Sequence, residues 1–413
     1  MHPTDDDTVV ALLRPLDTDP ATPSTVDIDR AMRDGRRHRR RRMATRSVAV
    51  IAAAGLAVAG SAVAVTALSG PTAAPAPPAG SASATTGPEP STDPTRPSPI
   101  TGPEPTPPTR CDRTQLPVPS GHYQTIVGGV DPTGRYVVGR SYASGGIRQL
   151  VMWDNGTLRR LPVSGRDPVL ADVNSAGTAV GFRVDESEPT PFAYLNGRVE
   201  QLAPLGKATA INEAGTIVGS TGNEASKPVR WANADSEPEP LPLPAGYFNG
   251  QAIDIDEDGT VIGLLSRDSD FVPYVWFPDG THRELMRPGN GERARFGMVR
   301  GIRNGWVVGS LRSGPKTDRE AMRWNVNTNE SVALPTFAND GAHAVNAHGW
   351  VAGQHSSGKA VLVTPAGIVD LPGFPGVTGF VSAAWVSDDG RTVVGNAMTA
   401  PGNYQRPVVW HCT

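Results

Sequence analysis

The sequence has few of the features by which enzymes are usually identified. Only two of its 413 residues are cysteine, so the chain can form at most one internal disulfide. It contains no Gly-x-Ser-x-Gly turn, no His-Glu-x-x-His, no Walker loop and no Cys-x-x-Cys. The sequence therefore predicts no catalytic residues and no cofactor, and it does not favour an enzyme.

The chain also has no large excess of positive or negative residues and few long apolar runs. The net charge is −3, hydrophobic residues make up 38% of the chain, and an uncharged apolar stretch long enough to cross a membrane occurs only at residues 47–69. This composition agrees with an exported protein. We expect no nucleic-acid partner, because the basic run at residues 36–46 lies beside that apolar stretch and is typical of a topology signal that contacts anionic lipid.

The chain instead contains a sequence motif that recurs about every forty residues. Each copy reads roughly apolar-Asn/Asp-x-x-Gly-x-Val-Val-Gly. The closing glycines are Gly139, Gly181, Gly219, Gly263, Gly309, Gly353 and Gly395. A period of this size, built from short strand-like runs and glycine turns, is typical of radial or solenoid repeats.

The second half of each unit also follows a pattern. An apolar run ends in an aromatic residue such as Trp153, which Val363 replaces in the sixth unit. Three of these runs lead into Asn155-Gly156, Asn196-Gly197 and Asp279-Gly280, which predict type I′ hairpin turns. A short run ending in Leu-Pro or a near relative follows, and a proline there suits the outer edge of a sheet. Each unit thus predicts four antiparallel strands, a to d, which form one blade of a seven-bladed, all-β propeller.

The seventh unit has no fourth strand after Trp410. A matching run precedes the first unit at residues 111–119, where Leu116-Pro117 repeats the Leu-Pro of the other units. We therefore predict that this N-terminal strand completes the last blade and closes the ring. Cys111 and Cys412 would then lie where other blades carry the c–d turn, and we predict a disulfide between them, which requires an oxidising compartment.

The Ile/Val-Asn-x-x-Gly-x-Val-Val-Gly phrase, with the Trp-x-x-Gly…Leu half that follows it, resembles the repeat of the extracellular HAF-repeat family over about residues 111–413. The resemblance implies an exported β-propeller and carries over no catalytic residue. The sequence departs from the pattern at residues 302–305, where the turn is shorter, and in the sixth unit, which lacks the aromatic.

Three segments precede the propeller domain of residues 111–413. Residues 1–46 are polar and end in arginines, residues 47–69 carry no charge, and residues 70–110 contain 13 prolines. A helix of 23 residues crosses a hydrocarbon core of about 30 Å, and flanking arginines favour the cytoplasmic side. We expect a cytoplasmic segment, a single transmembrane helix and an extended stalk, which place the propeller outside the cell membrane. A cleaved signal peptide is the alternative.

The two faces of the predicted propeller differ. The a–b and c–d turns are short and uniform and form a tight-turn face, while the b–c and d–a connections vary and form a variable-loop face. Recognition usually uses variable loops on a rigid scaffold. The candidate ligand-contacting residues on that face are Tyr142, Tyr247, Phe248, Arg293, Arg295, Phe296 and Tyr404. The alternative is that these side chains pack loops onto blades.

Two sets of residues in the sequence have side chains that can act as metal ligands. Asp254, Asp256 and Asp258 match the first half of a calcium loop, but the sequence supplies no bidentate glutamate at its end, which favours a solvated acidic turn. Three histidines cluster near the sixth unit without a zinc spacing, and we expect them at the surface or at strand ends. These are His343, His348 and His355. The sequence therefore predicts no metal site.

The leading interpretation is a membrane-anchored, extracytoplasmic β-propeller that binds a protein or a cell-wall glycan through its variable-loop face. One alternative is a transmembrane signalling protein whose Met1–Arg46 segment contacts a cytoplasmic regulator. Another is an extracellular carbohydrate- or peptide-processing enzyme, which would need two carboxylates about 5–9.5 Å apart in a central pocket. We also expect the stalk to leave the domain on the tight-turn face.

Overall fold

The computed structural model describes residues 103–413, except for 186–187, 223–225, 268–269, 287–296, 313–318, 376–380 and 400–403. All of these residues belong to one compact unit, Pro88–Thr413. The predicted cytoplasmic segment, membrane helix and most of the stalk lie outside the described residues. Within the described ranges, no helix has the length and apolar character needed to span a membrane.

Seven four-stranded antiparallel sheets make up the domain, as the repeat predicts. Blade 1 contains β2 (His122–Val130), β3 (Tyr136–Ala143), β4 (Arg148–Asp154) and β5 (Thr157–Arg160). Blade 2 contains β6 (Arg166–Val173), β7 (Ala179–Asp185), β8 (Glu188–Leu195) and β9 (Arg198–Gln201). Blade 3 contains β10 (Gly206–Ile211), β11 (Ile217–Thr221), β12 (Lys227–Trp231) and β13 (Glu239–Pro240). The strands of each blade follow one another in the order a, b, c, d.

The remaining blades repeat this arrangement. Blade 4 contains β14 (Asn249–Ile255), β15 (Val261–Arg267), β16 (Asp270–Trp276) and β17 (His282–Glu284). Blade 5 contains β18 (Met298–Arg303), β19 (Trp306–Arg312), β20 (Arg319–Asn325) and β21 (Glu330–Ala333). Blade 6 contains β22 (Phe337–Val345), β23 (Val351–His355), β24 (Ala360–Thr364) and β25 (Gly367–Leu371). Blade 7 contains β26 (Val381–Val386), β27 (Thr392–Thr399), β28 (Tyr404–Cys412) and β1 (Cys111–Gln115).

The N-terminal strand closes the ring, as predicted. In blade 7 the strand order is β1-β28-β27-β26, so β1 is the outer strand of the last blade. Cys111 lies directly opposite Cys412 in this ladder, and the two form a disulfide. The pairing continues beyond the bridge, where the Thr413 N–H donates to the carbonyl of Arg110 at 2.9 Å. Both ends of the described chain are thus held in one sheet.

The closing glycine of the repeat faces a β-bulge in strand a. In blade 3, Gly219 pairs with Ala208 and the next residue of β11 pairs with Ala210, so Thr209 is the extra residue. A Cβ atom on Gly219 would lie 1.9 Å from the carbonyl oxygen of Lys207. The equivalent glycines of the other six blades meet the corresponding carbonyl at 1.8–2.3 Å. The repeat therefore requires glycine here because the two strands approach too closely for any side chain.

Where the repeat carries asparagine, at Asn174, Asn212 and Asn346, the side chain links the a–b turn to the next blade. Oδ1 of Asn174 accepts the backbone N–H of Thr178 at 3.1 Å, and Nδ2 donates to the carbonyl of Asn212 at 3.2 Å. Asn212 in turn donates from Nδ2 to the carbonyl of Asp256 at 3.3 Å. An aspartate cannot donate, and Asp256 instead accepts the N–H of Gly305 in blade 5 at 2.7 Å. This position therefore serves both the local turn and the contact between blades.

The aromatic residue of strand c ties each blade to the one before it. The indole N–H of Trp153 donates to the carbonyl of Pro117 at 2.8 Å, and that of Trp410 donates to the carbonyl of Pro372 at 2.9 Å. The same bond joins Trp231 to Ala203, Trp276 to Pro242 and Trp324 to Met286. The residue that follows the recurring leucine at the end of strand d, usually proline, thus lies at the edge of its sheet and accepts the indole N–H of the next blade with its backbone carbonyl. Blades 2 and 6, which carry Tyr194 and Val363, make no such indole bond.

Two of the three predicted type I′ turns are confirmed. Asn155-Gly156 and Asn196-Gly197 have positive φ at both central positions. At Asp279-Gly280 only the glycine has positive φ, so the type I′ prediction was wrong there. The reason is a longer turn, in which the N–H of Phe277 bonds to the carbonyl of Thr281 at 2.8 Å.

Replacing both cysteines should weaken the closure of the ring. The Cys111–Cys412 bridge joins residues 301 apart, and a loop of that length contributes about 5 kcal/mol in the chain-entropy treatment of disulfides. We expect the Cys111→Ser/Cys412→Ser chain to unfold at clearly lower denaturant concentration than the wild type, measured by tryptophan fluorescence of the full-length chain. Adding a reductant should lower the wild-type midpoint to that of the variant and leave the variant unchanged. Equal midpoints in oxidising buffer would contradict this role.

Candidate functional site

The bulge of strand a places one residue of every blade along the central channel. These residues are Gly128, Ala171, Thr209, Ile253, Arg300, His343 and Ala384. All seven line a cavity of about 200 Å³ on the tight-turn side, which we call the turn-side cavity. Of the seven, only Arg300 and His343, on the neighbouring blades 5 and 6, have ionisable side chains.

A second cavity, of about 560 Å³, lies on the variable-loop side of the same channel. We call it the loop-side cavity. Arg300, His343 and Ala384 line both cavities, so the two meet at the ring of bulge residues. The rest of the wall of the loop-side cavity comes from blades 1, 6 and 7, and five of its side chains are polar. These are Asn339, Asp340, Gln354, Ser382 and Asn396, and the other lining residues are Val127, Ala338, Gly341 and Ala383.

An irregular stretch of blade 6 shapes this cavity. Phe337 pairs with His355 and Ala342 pairs with Gly353, so the four residues 338–341 lie opposite Gln354 alone. Irregular strand segments of this kind often redirect side chains toward a functional site. Asn339 is exposed here, while Asp340 is half-buried against blade 5.

Positive charge dominates the junction of the two cavities. Oδ1 of Asp340 accepts the hydroxyl of Ser310 at 2.5 Å and lies 3.4 Å from Nη1 of Arg319, so its charge is matched. Burial, and to a lesser degree the positive charge of Arg300, lowers the pKa of His343 to about 4, so its ring is neutral at pH 7. Arg300 is exposed and has no hydrogen bond or ion pair with any residue in the described ranges.

Acidic side chains line the turn-side cavity. Oδ2 of Asp172 accepts the backbone N–H of Ile211 at 3.0 Å, and Oδ2 of Asp254 accepts that of Ile302 at 2.8 Å. Each carboxyl thus joins its blade to the next. Burial raises the pKa of Asp254 to about 7. Burial also raises the pKa of Asp172, and the charge of Asp254 raises it further.

Arg303 connects three blades at the tight-turn end of the channel. Its Nη1 lies 2.9 Å from Oε1 of Glu257 in blade 4, and its Nη2 lies 2.7 Å from Oδ2 of Asp388 in blade 7. Burial alone would lower the pKa of Arg303, but the contacts with Asp388 and Glu257 outweigh it and raise the pKa. All three side chains line the turn-side cavity, so this ion-pair group crosses its outer end.

The segment that precedes β1 runs along the tight-turn face. The indole N–H of Trp350, in the a–b turn of blade 6, donates to Oε1 of Glu104 at 2.8 Å. Pro108 lies close to Gly390 in the a–b turn of blade 7. The N–H of Thr109 donates to the carbonyl of Thr413 at 2.7 Å. The prediction that the chain enters the domain on the tight-turn face is therefore confirmed for residues 103–110.

The predicted ligand-contacting residues separate into packed and exposed ones. The Tyr247 hydroxyl donates to Oε1 of Glu284 at 2.6 Å, and its ring packs edge-on to Tyr274. Tyr142 is half-buried beneath the guanidinium of Arg140, 5.0 Å from its ring centre. The Tyr247 contacts match the alternative that these side chains pack loops onto blades, whereas Tyr142 contacts an arginine of its own strand.

The other predicted residues do not form one cluster. Phe248 is 49% exposed and directly precedes the first strand of blade 4. Tyr404 is 38% exposed in blade 7, and its ring centre lies 5.0 Å from that of Tyr123 in blade 1. Arg293, Arg295 and Phe296 lie outside the described residues.

Two predictions about charged residues were wrong. The turn that contains Asp254 and Asp256 is not a solvated acidic turn, because both carboxylates accept backbone N–H groups of blade 5 and Asp256 is buried. His343 is not a surface or strand-end residue, since it sits in the middle of β22 on the channel. No group of three or more acidic, histidine or cysteine side chains in the described ranges has a geometry that could hold a metal ion.

Sequence reasoning missed Arg300 and His343 as a pair. Both stand three positions before the residue that opens the a–b turn, as Thr209 stands before Asn212. Aligning the seven units on that position would have placed the two residues in one ring. Their contact with the channel depends on the bulge, which only strand pairing reveals.

The raised pKa of Asp254 makes the stability of the domain depend on pH. Its folded pKa of about 7 lies above that of an unfolded aspartate, so its contribution to stability is present at low pH and is lost as the pH rises through about 7. Relative to Asp254→Asn, which keeps an acceptor for Ile302, the wild type should lose about 1 kcal/mol of unfolding free energy between pH 6 and pH 8.5. Denaturant titrations across this range provide the measurement. Asp279→Asn, in an exposed turn of the same blade, should behave like the wild type, and parallel profiles for all three chains would contradict the assignment.

The fold is similar to that of several solved structures. A streptogramin B lyase structure superposes with a TM-score of 0.50 at 11% sequence identity, covering 73% of this chain and 98% of that chain. An oligogalacturonate lyase in complex with manganese gives 0.48 at 12% identity, covering 74% and 98%. TolB from Acinetobacter baumannii gives 0.40 at 11% identity, covering 71% and 65%. No protein-family model matches the sequence, and no curated protein is significantly similar to it. The likeness at these identities is one of fold alone.

Proposed function

We propose that this protein is an extracytoplasmic binding module, held at a membrane by its N-terminal segment, which recognises a cell-wall glycan through its variable-loop face. The observation that carries the proposal is the difference between the two faces. The chain enters along the tight-turn face, where Glu104 and Thr109 contact the blades and Arg303 crosses the channel. The opposite face is therefore the one free to meet a ligand.

Apolar exposure follows the same division. Of the seven large apolar side chains that are exposed among the described residues, six lie on b–c or d–a connections or at the strand ends beside them. These six are Tyr123, Ile147, Leu205, Phe248, Phe271 and Tyr404. Only Ile368 lies on the tight-turn face. Exposed aromatic side chains around a polar cavity are typical of a ligand-binding surface.

The chemistry of the loop-side cavity favours a glycan over a flat protein surface. Its lining includes the amides of Asn339, Gln354 and Asn396, which can donate to and accept from hydroxyl groups. Oδ1 of Asn396 accepts the N–H of Val127 at 3.0 Å, so Nδ2 is the group left to face the cavity. The Tyr123–Tyr404 pair adds exposed rings on the adjoining blades 1 and 7. A protein ligand remains the alternative, and the test below distinguishes it.

Hydrolysis has less support from this cavity. A pair of carboxylates about 5–9.5 Å apart would be needed, and the described lining of the loop-side cavity contains one, Asp340, which is engaged by Ser310 and Arg319. In the turn-side cavity, the Asp172 and Asp254 carboxyl groups each accept a backbone N–H of the next blade. The signalling alternative depends on residues 1–46, which lie outside the described ranges. A binding role is therefore the function that we propose for the described domain.

Removing the exposed tyrosine pair should weaken glycan binding. We expect the full-length chain to bind cell-wall-type oligosaccharides on a glycan array, and Tyr123→Ala/Tyr404→Ala to bind the same glycans about tenfold more weakly, because about 1.4 kcal/mol of apolar contact with the rings is lost. Dissociation constants from isothermal titration calorimetry with a retained glycan give the measurement.

Ile368→Ala is the matched control, since this side chain is 52% exposed but lies on the tight-turn face. It should bind as the wild type does. Failure of the folded wild-type chain to retain any glycan would reject the glycan proposal and favour a protein ligand. Equal loss in the control and the tyrosine variant would show that the variable-loop face is not the binding surface.

A further inference from the structure

We propose that the ring of bulge residues holds an anion site, in which Arg300 pairs with a carboxylate group of the bound glycan. The proposal rests on the glycan-binding function above and names the chemical class of the ligand. It predicts recognition of an acidic sugar, such as a uronic acid, in preference to its neutral counterpart. The argument uses the position of Arg300, its charge balance and the shape of the channel around it.

Arg300 is placed by the scaffold rather than by a loop. It is the bulge residue of β18, between Val299, which pairs with Gly309, and Gly301, which pairs with Val308. Thr209 in blade 3 and His343 in blade 6 are bulge residues that line the channel, and Arg300 occupies the same position in blade 5. A guanidinium at the end of such a rigid backbone segment can meet a planar carboxylate with two parallel hydrogen bonds.

The charge of Arg300 is not matched within the described residues. Arg303, three positions later, is engaged by Glu257 and Asp388, and Asp340 is engaged by Ser310 and Arg319. The neighbouring His343 is neutral at pH 7. The carboxyl groups on the turn side, Asp254 and Asp172, accept backbone N–H groups of the next blade and have raised pKa values.

The channel geometry directs an anion to Arg300 from one side. Arg300 lines the loop-side cavity of about 560 Å³, which has room for a sugar ring with its substituents. On the other side, the Arg303 ion-pair group crosses the end of the turn-side cavity. A glycan that enters from the variable-loop face would therefore present its deepest group to Arg300 and His343, with the amide of Asn396 in the same wall.

The first test compares two ligands that differ only in charge. Titration calorimetry of the full-length chain with a glucuronate-terminated trisaccharide and with its glucose-terminated counterpart should give at least tenfold tighter binding of the acidic sugar, as expected for a charge-assisted hydrogen bond of about 1.5 kcal/mol. Arg300→Gln should remove this preference, and Arg300→Lys should restore part of it. Arg198→Gln, an exposed arginine on the outer strand of blade 2, is the matched control and should keep the preference. Equal binding of both sugars by the wild type would overturn the anion site.

A second measurement does not depend on glycan binding. Arg300 lowers the pKa of His343, so neutralising the guanidinium should raise it. With [¹³C]histidine-labelled protein and a His343→Gln chain to assign the signal, trifluoroacetate, a carboxylate that stays ionised near the pKa of His343, should raise that pKa in the wild type but not in Arg300→Gln when it is added at constant ionic strength. If His343 responds to trifluoroacetate while no glycan binds, the anion site stands and the glycan function fails. If glycans bind and His343 does not respond, the anion site fails and the glycan function stands.

Discussion

The pairing of the first and last strands holds the ring together. The blades pack mainly on their neighbours, and the pairing of β1 with β28 ties the start of the domain into its last blade, so that the row of sheets forms a closed disc. The Cys111–Cys412 bridge fixes the register of that pair, and the Thr413–Arg110 bond extends it. The radial arrangement of the blades also leaves only short, protected strand edges, which limits association through open strands.

Three residues of the repeat make contacts between strands or between blades. The asparagine joins successive a–b turns, as Asn174 does with Asn212, and the closing glycine admits the carbonyl of strand a. The indole of strand c reaches back to the Leu-Pro run of the preceding blade, as Trp153 does with Pro117. Blades 2 and 6 lack the indole bond, so the interfaces between blades 1 and 2 and between blades 5 and 6 are without this contact. The channel residues Arg300 and His343 flank one of these interfaces.

Sequence reasoning was sufficient wherever one repeat unit contains the whole pattern. The number of blades, the closing strand and the cysteine pair could all be predicted because each follows from aligning the seven units. It failed where the partner comes from the next unit. The sequence predicts an exposed turn at Asp254, but in the structure its carboxylate accepts the N–H of Ile302, which lies 48 positions later. The sequence predicts a ligand contact at Tyr247, but its hydroxyl donates to Glu284, which lies 37 positions later. The candidate anion site depends on strand pairing in blades 5 and 6, which no single unit displays.

The bulge in strand a separates the wall of the channel from the frame that supports it. A substitution at Ala171 or Ala384 would alter the channel surface while the adjacent ladder pairs, the turn asparagine and the indole bond stay in place. Each blade thus contributes one position to the channel wall, although in blade 1 a Cβ on Gly128 would lie 2.1 Å from the carbonyl oxygen of Leu170, which leaves no room for a side chain. During evolution, proteins with this frame can acquire new ligand preferences through point mutations at the remaining bulge positions, with no change to loops or blade number.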